Sequence, residues 1–302
     1  MIQTESCLSD YLQEVVGDSS MCPQCDMLVL SYKTKCGTPP PSNVEYIYVN
    51  LKRKQAGEVA EMCYMKREQV YLYFILMDDD IVLTDQLESD RDSKGSPWRK
   101  FEEFLERIEP AAAAVDISNK HWLERAANGR KYFDCQSIIN ASTAEYICVA
   151  DFDAAFNAFH NKSVRHILPY TSKFDCRGMW NFSPIYINIK LELLYGGHLV
   201  LHNQIFGTNA KHRSYPKRWP NLQDLNSIAD EVESDIPEIR TKNSSLLSGW
   251  RRDGLQHEQR SPTVCIPPPP PKMPIVELHT LMAHWQCNIS GVTLLPRAHA
   301  QG

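Results

Sequence analysis

The 302-residue chain lacks the features that mark several large classes of protein. It has no run of about 18 apolar residues, so we expect no transmembrane segment in it. Its first residues show no basic region followed by an apolar stretch and so do not resemble a secretory signal peptide. Acidic residues outnumber basic ones by 37 to 32. We therefore expect no nucleic-acid partner, because such binding needs a basic surplus.

The sequence leaves the cellular compartment open. Ten cysteines and five Asn-x-Ser/Thr tripeptides are present, and disulfides and glycosylation both occur in the secretory lumen. The tripeptides begin at Asn140, Asn161, Asn181, Asn243 and Asn288. The protein is expected in the Golgi or another secretory compartment if a longer form carries a leader, and in the cytoplasm otherwise.

Cys22, Cys25 and Cys36 suggest either a metal site or a disulfide. Cys22 and Cys25 are separated by two residues, and Cys36 follows them. A structural zinc site needs four ligands, usually in two pairs, and no histidine or fourth cysteine lies close by in the sequence. We therefore expect a disulfide between Cys36 and either Cys22 or Cys25 if the protein is lumenal.

Strands and helices are predicted to alternate over most of the chain. The run 70–77, VYLYFILM, is the strongest strand pattern and is apolar on both faces, as in a central strand. Helical spacing of apolar residues occurs at 53–69 and 98–108. Further strand patterns lie at 26–32, 44–49, 111–115, 145–150 and 197–204. This order predicts an α/β fold with a mostly parallel, Rossmann-like sheet flanked by helices.

Composition divides the chain into three regions. Residues 1–24 are polar and form an N-terminal extension, and residues 25–222 form the α/β domain. Residues 223–302 are polar and proline-rich, with one weak helical stretch near 225–232 and a proline run at 267–271 that favours polyproline II. We expect this last region to be an irregular, partly disordered tail that the domain does not need for folding.

Three consecutive aspartates, Asp78, Asp79 and Asp80, directly follow the strand at 70–77. Their carboxylates repel one another, so a cation is expected to compensate them. Hard divalent ions such as Mg²⁺ and Mn²⁺ prefer oxygen ligands and also bind phosphate oxygens. In open α/β sheets, ligands gather at the carboxyl ends of strands, where this triplet lies. The alternative interpretation is a solvated acidic turn in which one aspartate caps a helix.

The stretch YLYFILMDDDIVLTD resembles the strand and DxD motif of GT-A nucleotide-sugar glycosyltransferases. The segments 98–116, 152–175 and 179–186 are similar, in order and spacing, to an uncharacterised group of glycosyltransferase-like proteins in animals and protists. The resemblance covers about residues 25–205. It implies a GT-A-like fold, a nucleotide-sugar donor, a glycan or glycoconjugate acceptor, and Mn²⁺ or Mg²⁺ as cofactor.

The resemblance also implies roles for single residues near the donor. Asp78 and Asp80 match the first and last aspartates of the motif, which contact the metal and the ribose or diphosphate, and Asp79 lies beside them. Related sequences carry a Gly-Arg-Asn-like element where this chain has LKRKQ. Arg53 and Lys54 are interpreted either as residues that meet the diphosphate at a helix N-terminus or as part of a plain exposed turn. GT-A folds often supply a late histidine as a third metal contact, and His202 is the candidate here.

Carboxylates later in the chain are candidates for the acceptor side of a site. Asp153 follows the strand at 145–150 and shares one face of a predicted helix with Asn157 and His160. Asp153 is interpreted either as a general base or acceptor-binding carboxylate, or as a helix N-cap. His160 is interpreted as a surface histidine.

A second acceptor-side candidate is Asp175, which would bind sugar hydroxyls. It precedes three aromatic residues that form either a sugar-stacking platform or part of the core, namely Trp180, Phe182 and Tyr186.

These patterns favour an enzyme that moves a sugar from a nucleotide-sugar donor to an acceptor with a divalent cation at the aspartate triplet. The alternative is an inactive relative that binds carbohydrate or protein, suggested by the LKRKQ segment and the irregular C-terminal region. A metal-dependent phosphoryl-transfer enzyme would also use clustered aspartates, but the chain has no P-loop or other glycine-rich phosphate loop.

Overall fold

A computed structural model of the chain describes residues 2–4, 7, 27–31, 34–39, 44–49, 71–85, 96–117, 145–148, 155–167, 182–195, 199–209, 221–236 and 292–294. The strands within these residues are β1 (Ile2–Thr4), β2 (Met27–Ser31), β3 (Val44–Val49), β4 (Tyr73–Asp78), β5 (Ile81–Asp85), β6 (Ala112–Asp116), β7 (Tyr146–Cys148), β8 (Phe156–His160), β9 (Leu199–Asn209) and β10 (Val292–Leu294). The helices are α1 (Pro97–Ile108), α2 (Asn161–Ile167), α3 (Phe182–Tyr195) and α4 (Leu222–Asp235).

The ten described strands form one mixed sheet. Its order is β10-β3-β2-β1-β4-β8-β6-β9-β5, with β7 paired to β9 beside this path. The pairs β1–β2, β1–β4, β2–β3 and β6–β9 are parallel. The pairs β3–β10, β4–β8, β5–β9, β6–β8 and β7–β9 are antiparallel. The α/β class and the central position of β4 are confirmed, but the sheet is mixed rather than mostly parallel.

The sheet is strongly curled, as the link between β4 and β5 shows. Three strands lie between β4 and β5 in the sheet, so a flat sheet would hold them about 19 Å apart. Only two residues separate the end of β4 at Asp78 from the start of β5 at Ile81, and three extended residue steps reach at most about 11 Å. The sheet therefore curls until β5 approaches the end of β4.

Strand β8 occupies residues that the sequence pattern assigned to a helix. It pairs antiparallel with both β4 and β6, placing Asn157 opposite Leu76 on one side and Ala114 on the other. All five of its residues are buried. The predicted helix face that joined Asn157 and His160 is therefore wrong, because these two residues lie on a central strand. His160 is 3% exposed and its Nδ1 accepts the Lys162 N–H, so it is not a surface histidine.

Helix α1 agrees closely with its predicted range. Ser96 caps its start by accepting the Trp98 N–H, and Pro97 occupies the first turn, where its missing N–H is no loss. The buried face consists of Phe101, Phe104 and Leu105. This face covers the sheet, since the Phe101 ring lies 5.3 Å from that of Phe156 on β8. Apolar spacing alone predicted this packing correctly.

Helix α4 lies in the region that we expected to be a tail. A capping box between Asn221 and Asp224 starts it, and four apolar residues on one face are buried, namely Leu225, Ile228, Ala229 and Val232. It packs against α3. Strand β10, still later in the chain, pairs with β3. The folded part therefore extends past the expected boundary at residue 222.

The helices in the described segments were compared with the length and hydropathy that a membrane span needs. None of them is both long enough and apolar enough to cross a bilayer.

Candidate functional site

The aspartate triplet lies where several parallel strands end. In the parallel register, Ile2 of β1 is opposite Met77 of β4 and also opposite Val29 of β2. The carboxyl ends of β1, β2 and β4 therefore meet at one edge of the sheet, which we call the acidic edge. Asp78 ends β4, and Asp79 and Asp80 form the turn that leads to β5. The sequence predicted this placement correctly.

Asp79 is bound to the neighbouring strand. The hydroxyl of Thr4, which is 2% exposed, lies 2.9 Å from Asp79 Oδ2 and 2.7 Å from the Cys7 carbonyl oxygen. Burial raises the pKa of Asp79, and the charges of Asp80 and Asp78 raise it further, while the Thr4 hydrogen bond opposes the rise.

A disulfide joins Cys7 to Cys36 at the same edge, with Cα atoms 4.8 Å apart. Cys7 follows β1 and Cys36 follows β2, so the bond links the segments that leave two neighbouring parallel strands. The expected pairing of Cys36 with Cys22 or Cys25 is therefore wrong. Those two cysteines lie outside the described residues.

Asp78 and Asp80 lie on either side of Asp79 in the triplet. Both are partly exposed, and the Asp78 N–H donates to the Ala155 carbonyl at 2.9 Å, which fixes the end of β4. Among the described residues, no three His, Cys, Asp or Glu side chains form a group that could hold a metal ion. Mg²⁺ is often bound by one or two carboxylates together with phosphate oxygens and water, and two aspartates fit that donor set.

His202 lies away from the triplet. It is 3% exposed, its ring centre is 4.8 Å from that of Phe104, and its Nδ1 accepts the N–H groups of Gln204 and Ile205. These contacts lie where the register of β9 against β6 shifts. The His202 side chain therefore accepts hydrogen bonds from the backbone of an irregular strand. Burial lowers its pKa to about 4.

The distance along β5 also separates His202 from the acidic edge. His202 lines a recess with Asp85, and Asp85 ends β5 about 13 Å from Ile81, which follows the triplet. The structure therefore does not bring His202 to Asp78 and Asp80 as a third metal contact.

The recess beside His202 is a polar feature that the sequence patterns did not reveal. It encloses about 160 Å³ between α1, the end of β5, β9 and Glu145, which precedes β7. Lys100 pairs with Asp85 and Arg107 pairs with Glu145 in its wall. Glu103 also lines the recess and pairs with Arg99, so each carboxylate of the wall has a basic partner.

Two of the three aromatic residues considered for sugar stacking belong to the core. Phe182 and Tyr186 are 0% exposed on α3. The Tyr186 hydroxyl donates to Asp235 of α4, and Lys190 Nζ donates to the same carboxylate at 2.9 Å. The buried lysine was missed, although a single lysine inside the apolar run FSPIYINIKLELLY was a visible signal.

Several predicted site residues lie outside the described residues, so their roles stay predictions. These are Arg53, Lys54, Asp153, Asp175 and Trp180.

We compared the chain with models of protein families and with curated proteins. Neither comparison found a match. The resemblance to GT-A glycosyltransferases therefore rests on the sequence segments named above.

Proposed function

We propose that the chain transfers a sugar from a nucleotide-sugar donor to a glycan or glycoconjugate acceptor, using a GT-A-like fold. The observation that carries the proposal is the acidic turn at the carboxyl ends of parallel strands, with two partly exposed carboxylates, Asp78 and Asp80. Asp79 was expected beside the donor, but its carboxyl group accepts a hydrogen bond from Thr4. The proposal therefore assigns Asp78 and Asp80 as the two protein ligands of one cation.

Bound Mn²⁺ or Mg²⁺ would stabilise the negative charge of the departing diphosphate. Asp78 and Asp80 would hold the ion, and the donor phosphates would complete its oxygen shell. Arg53 and Lys54 would bind the diphosphate, while Asp153 and Asp175 would bind or deprotonate the acceptor hydroxyl. These four assignments are predictions from the sequence, because the four residues lie outside the described residues.

The test compares the native chain with Asp78→Asn and Asp80→Asn, which keep the side-chain shape but remove the charge. We expect UDP- or GDP-sugars to raise the melting temperature of the native chain only when Mn²⁺ is present. Both variants should lose this stabilisation while unfolding cooperatively. Asp230→Asn, on the exposed side of α4, is the matched control and should behave as the native chain does. Unchanged donor binding in both edge variants would refute the proposal.

A second function is favoured by the scarcity of ligands. No third His, Cys, Asp or Glu among the described residues joins Asp78 and Asp80, and LKRKQ replaces the Gly-Arg-Asn-like element. Both features are compatible with an inactive relative that binds carbohydrate or protein. A nucleotide-release assay with acceptor glycans and the UDP- or GDP-sugar that stabilises the chain separates the two functions. Release of the nucleotide supports the transferase. Donor binding without release supports the binding module.

A further inference from the structure

A continuous series of contacts connects the disulfide to the acidic turn. Cys7 is bonded to Cys36, and the Cys7 carbonyl oxygen lies 2.7 Å from the Thr4 hydroxyl. The same hydroxyl lies 2.9 Å from Asp79 Oδ2. Thr4 is buried, whereas Cys7 and Cys36 are partly exposed. The series therefore runs from a bond that a solvent-borne reagent can reach to a carboxyl group between the two proposed cation ligands.

Strand β1 depends on these contacts more than a longer strand would. It has three residues, and Thr4 is the last of them. The disulfide lies just beyond and fixes the following segment to the loop after β2. A cross-link between residues that are 29 apart in sequence fixes the position of Cys7 relative to Cys36. Without the bond, the position of Thr4 depends on β1 alone.

We infer that Thr4 positions the acidic turn through Asp79, and that the Cys7–Cys36 disulfide keeps Thr4 in place as a redox-sensitive clamp. A dithiol reductant would break the S–S bond and deliver two electrons and two protons to the cysteine sulfurs, becoming a disulfide itself. The reduced chain then holds Asp78 and Asp80 less firmly. The consequence for cation binding rests on the proposed function, whereas the clamp itself does not.

The first experiment follows the clamp without any ligand. Peptide mapping of the full chain without reductant should recover Cys7 linked to Cys36. Amide hydrogen exchange in the peptide that covers residues 71–85 should become faster by on the order of tenfold after dithiothreitol treatment. The control is the double variant Cys7→Ser/Cys36→Ser, in which exchange should be fast already and dithiothreitol should add nothing, whatever it does to the other cysteines.

The second experiment isolates the hydroxyl of Thr4. Thr4→Ser keeps the hydroxyl and should behave as the native chain does, whereas Thr4→Val should speed exchange in the same peptide. In electron paramagnetic resonance titrations, Thr4→Val should weaken Mn²⁺ binding by on the order of tenfold, the size of one buried hydrogen bond to a carboxyl group. Thr84→Val, at an exposed threonine of β5, is the matched control and should change neither measurement.

The outcomes separate the two proposals. Exchange that is unchanged by both dithiothreitol and Thr4→Val overturns the clamp, whether or not Mn²⁺ binds. Exchange that responds as expected while no form of the chain binds Mn²⁺ supports the clamp and overturns the proposed function. Recovery of Cys36 in a bond with a different cysteine overturns the redox part of the inference.

Discussion

Lys190 is a charged side chain in the interior of the protein. It is 5% exposed on α3, and its Nζ lies 2.9 Å from Asp235 Oδ2 and 4.6 Å from the centre of the Tyr186 ring. Burial lowers the pKa of Lys190 to about 7, with the charge of Glu231 opposing the shift. A buried ion pair of this kind adds little stability over an apolar pair of the same size, but an orphaned partner is costly.

We predict that replacing the two partners has unequal effects. Lys190→Met removes the buried charge and should change the free energy of unfolding by less than about 1 kcal/mol. Asp235→Ala leaves the lysine buried without its carboxylate and should cost about 1 to 3 kcal/mol, a value reduced because the Asp235 side chain is 41% exposed. Urea unfolding of both variants between about pH 6 and 7, where Asp235 is ionised and Lys190 is charged, checks this, with Lys162→Met at an exposed lysine as control. Equal losses in both variants would contradict it.

The same lysine predicts a pH dependence of stability. Between about pH 7 and 10.5, Lys190 is charged in the unfolded chain and neutral in the folded one. The unfolded state then binds more protons than the folded state. The contribution of Lys190 to the free energy of unfolding therefore increases as pH rises through this window. Urea unfolding at pH 7 and pH 9 should show a larger gain in the native chain than in Lys190→Met. A gain of the same size in both would show that another group is responsible.

At the scale of the single element, helix α1 ends in an unfavourable backbone conformation. Glu109 has φ 49° and ψ 49°, and its N–H donates to the Leu105 carbonyl. Many helices end in this left-handed conformation. It causes steric strain in a residue that has a Cβ but not in glycine. The cap is therefore a position where the native residue is not the most stable choice.

We predict that Glu109→Gly stabilises the protein by up to about 1 kcal/mol. Glu106→Gly, at an exposed position inside the same helix, should instead destabilise it by about 1 kcal/mol, because glycine is unfavourable in a helix interior. The two variants remove the same side chain, so thermal unfolding of the pair isolates the backbone term. A loss of stability in both would show that the Glu109 side chain has a role that outweighs the strain.

Elements with a local cause were predictable from sequence. Helix α1 has its cap, its proline and its apolar face within 96–108, and the apolar run before Asp78 indicated a strand whatever its neighbours are. Strand β8 was not predictable in this way. All five of its residues are buried, so Phe156 and Asn157 show no alternation, and its identity depends on the pairings with β4 and β6.

The candidate site was predictable to a similar degree. A triplet after a buried strand located the acidic edge, because strand ends and sheet edges coincide. The partner of Cys36 could not be chosen by spacing, since connectivity depends on which strands lie side by side. The distance between His202 and Asp80 depends on the direction of β5, which pairs with β9 rather than with β4.

At the scale of the whole molecule, the domain includes α4, and this reverses one expectation about truncation. A chain ending at residue 222 would lose the buried side chains Leu225, Ile228 and Val232, each worth about 1.5 to 3 kcal/mol. Their sum approaches the net stability of an ordinary domain, about 5 to 15 kcal/mol. We predict that this chain aggregates or unfolds without cooperativity, contrary to the sequence-based expectation.

The control for that truncation is a chain ending at residue 236, which keeps α4 and its last buried residue, Ile236. It should remain soluble and unfold cooperatively in urea, although it lacks β10. Equal behaviour of the two chains would show that α4 is not needed by the domain.

The pairing of β5 with β9 also determines when the acidic turn can form during synthesis. The Thr208 hydroxyl donates to the Val82 carbonyl at 3.3 Å across 126 residues of sequence. At ribosomal rates of about 5 to 20 residues per second, β5 emerges roughly 6 to 25 seconds before its partner. During that interval β5, the apolar strand after the triplet, lacks its partner β9 and has an unpaired edge that other nascent chains can bind. The turn is therefore completed late, and chaperone protection of residues 70–85 should matter most in that interval.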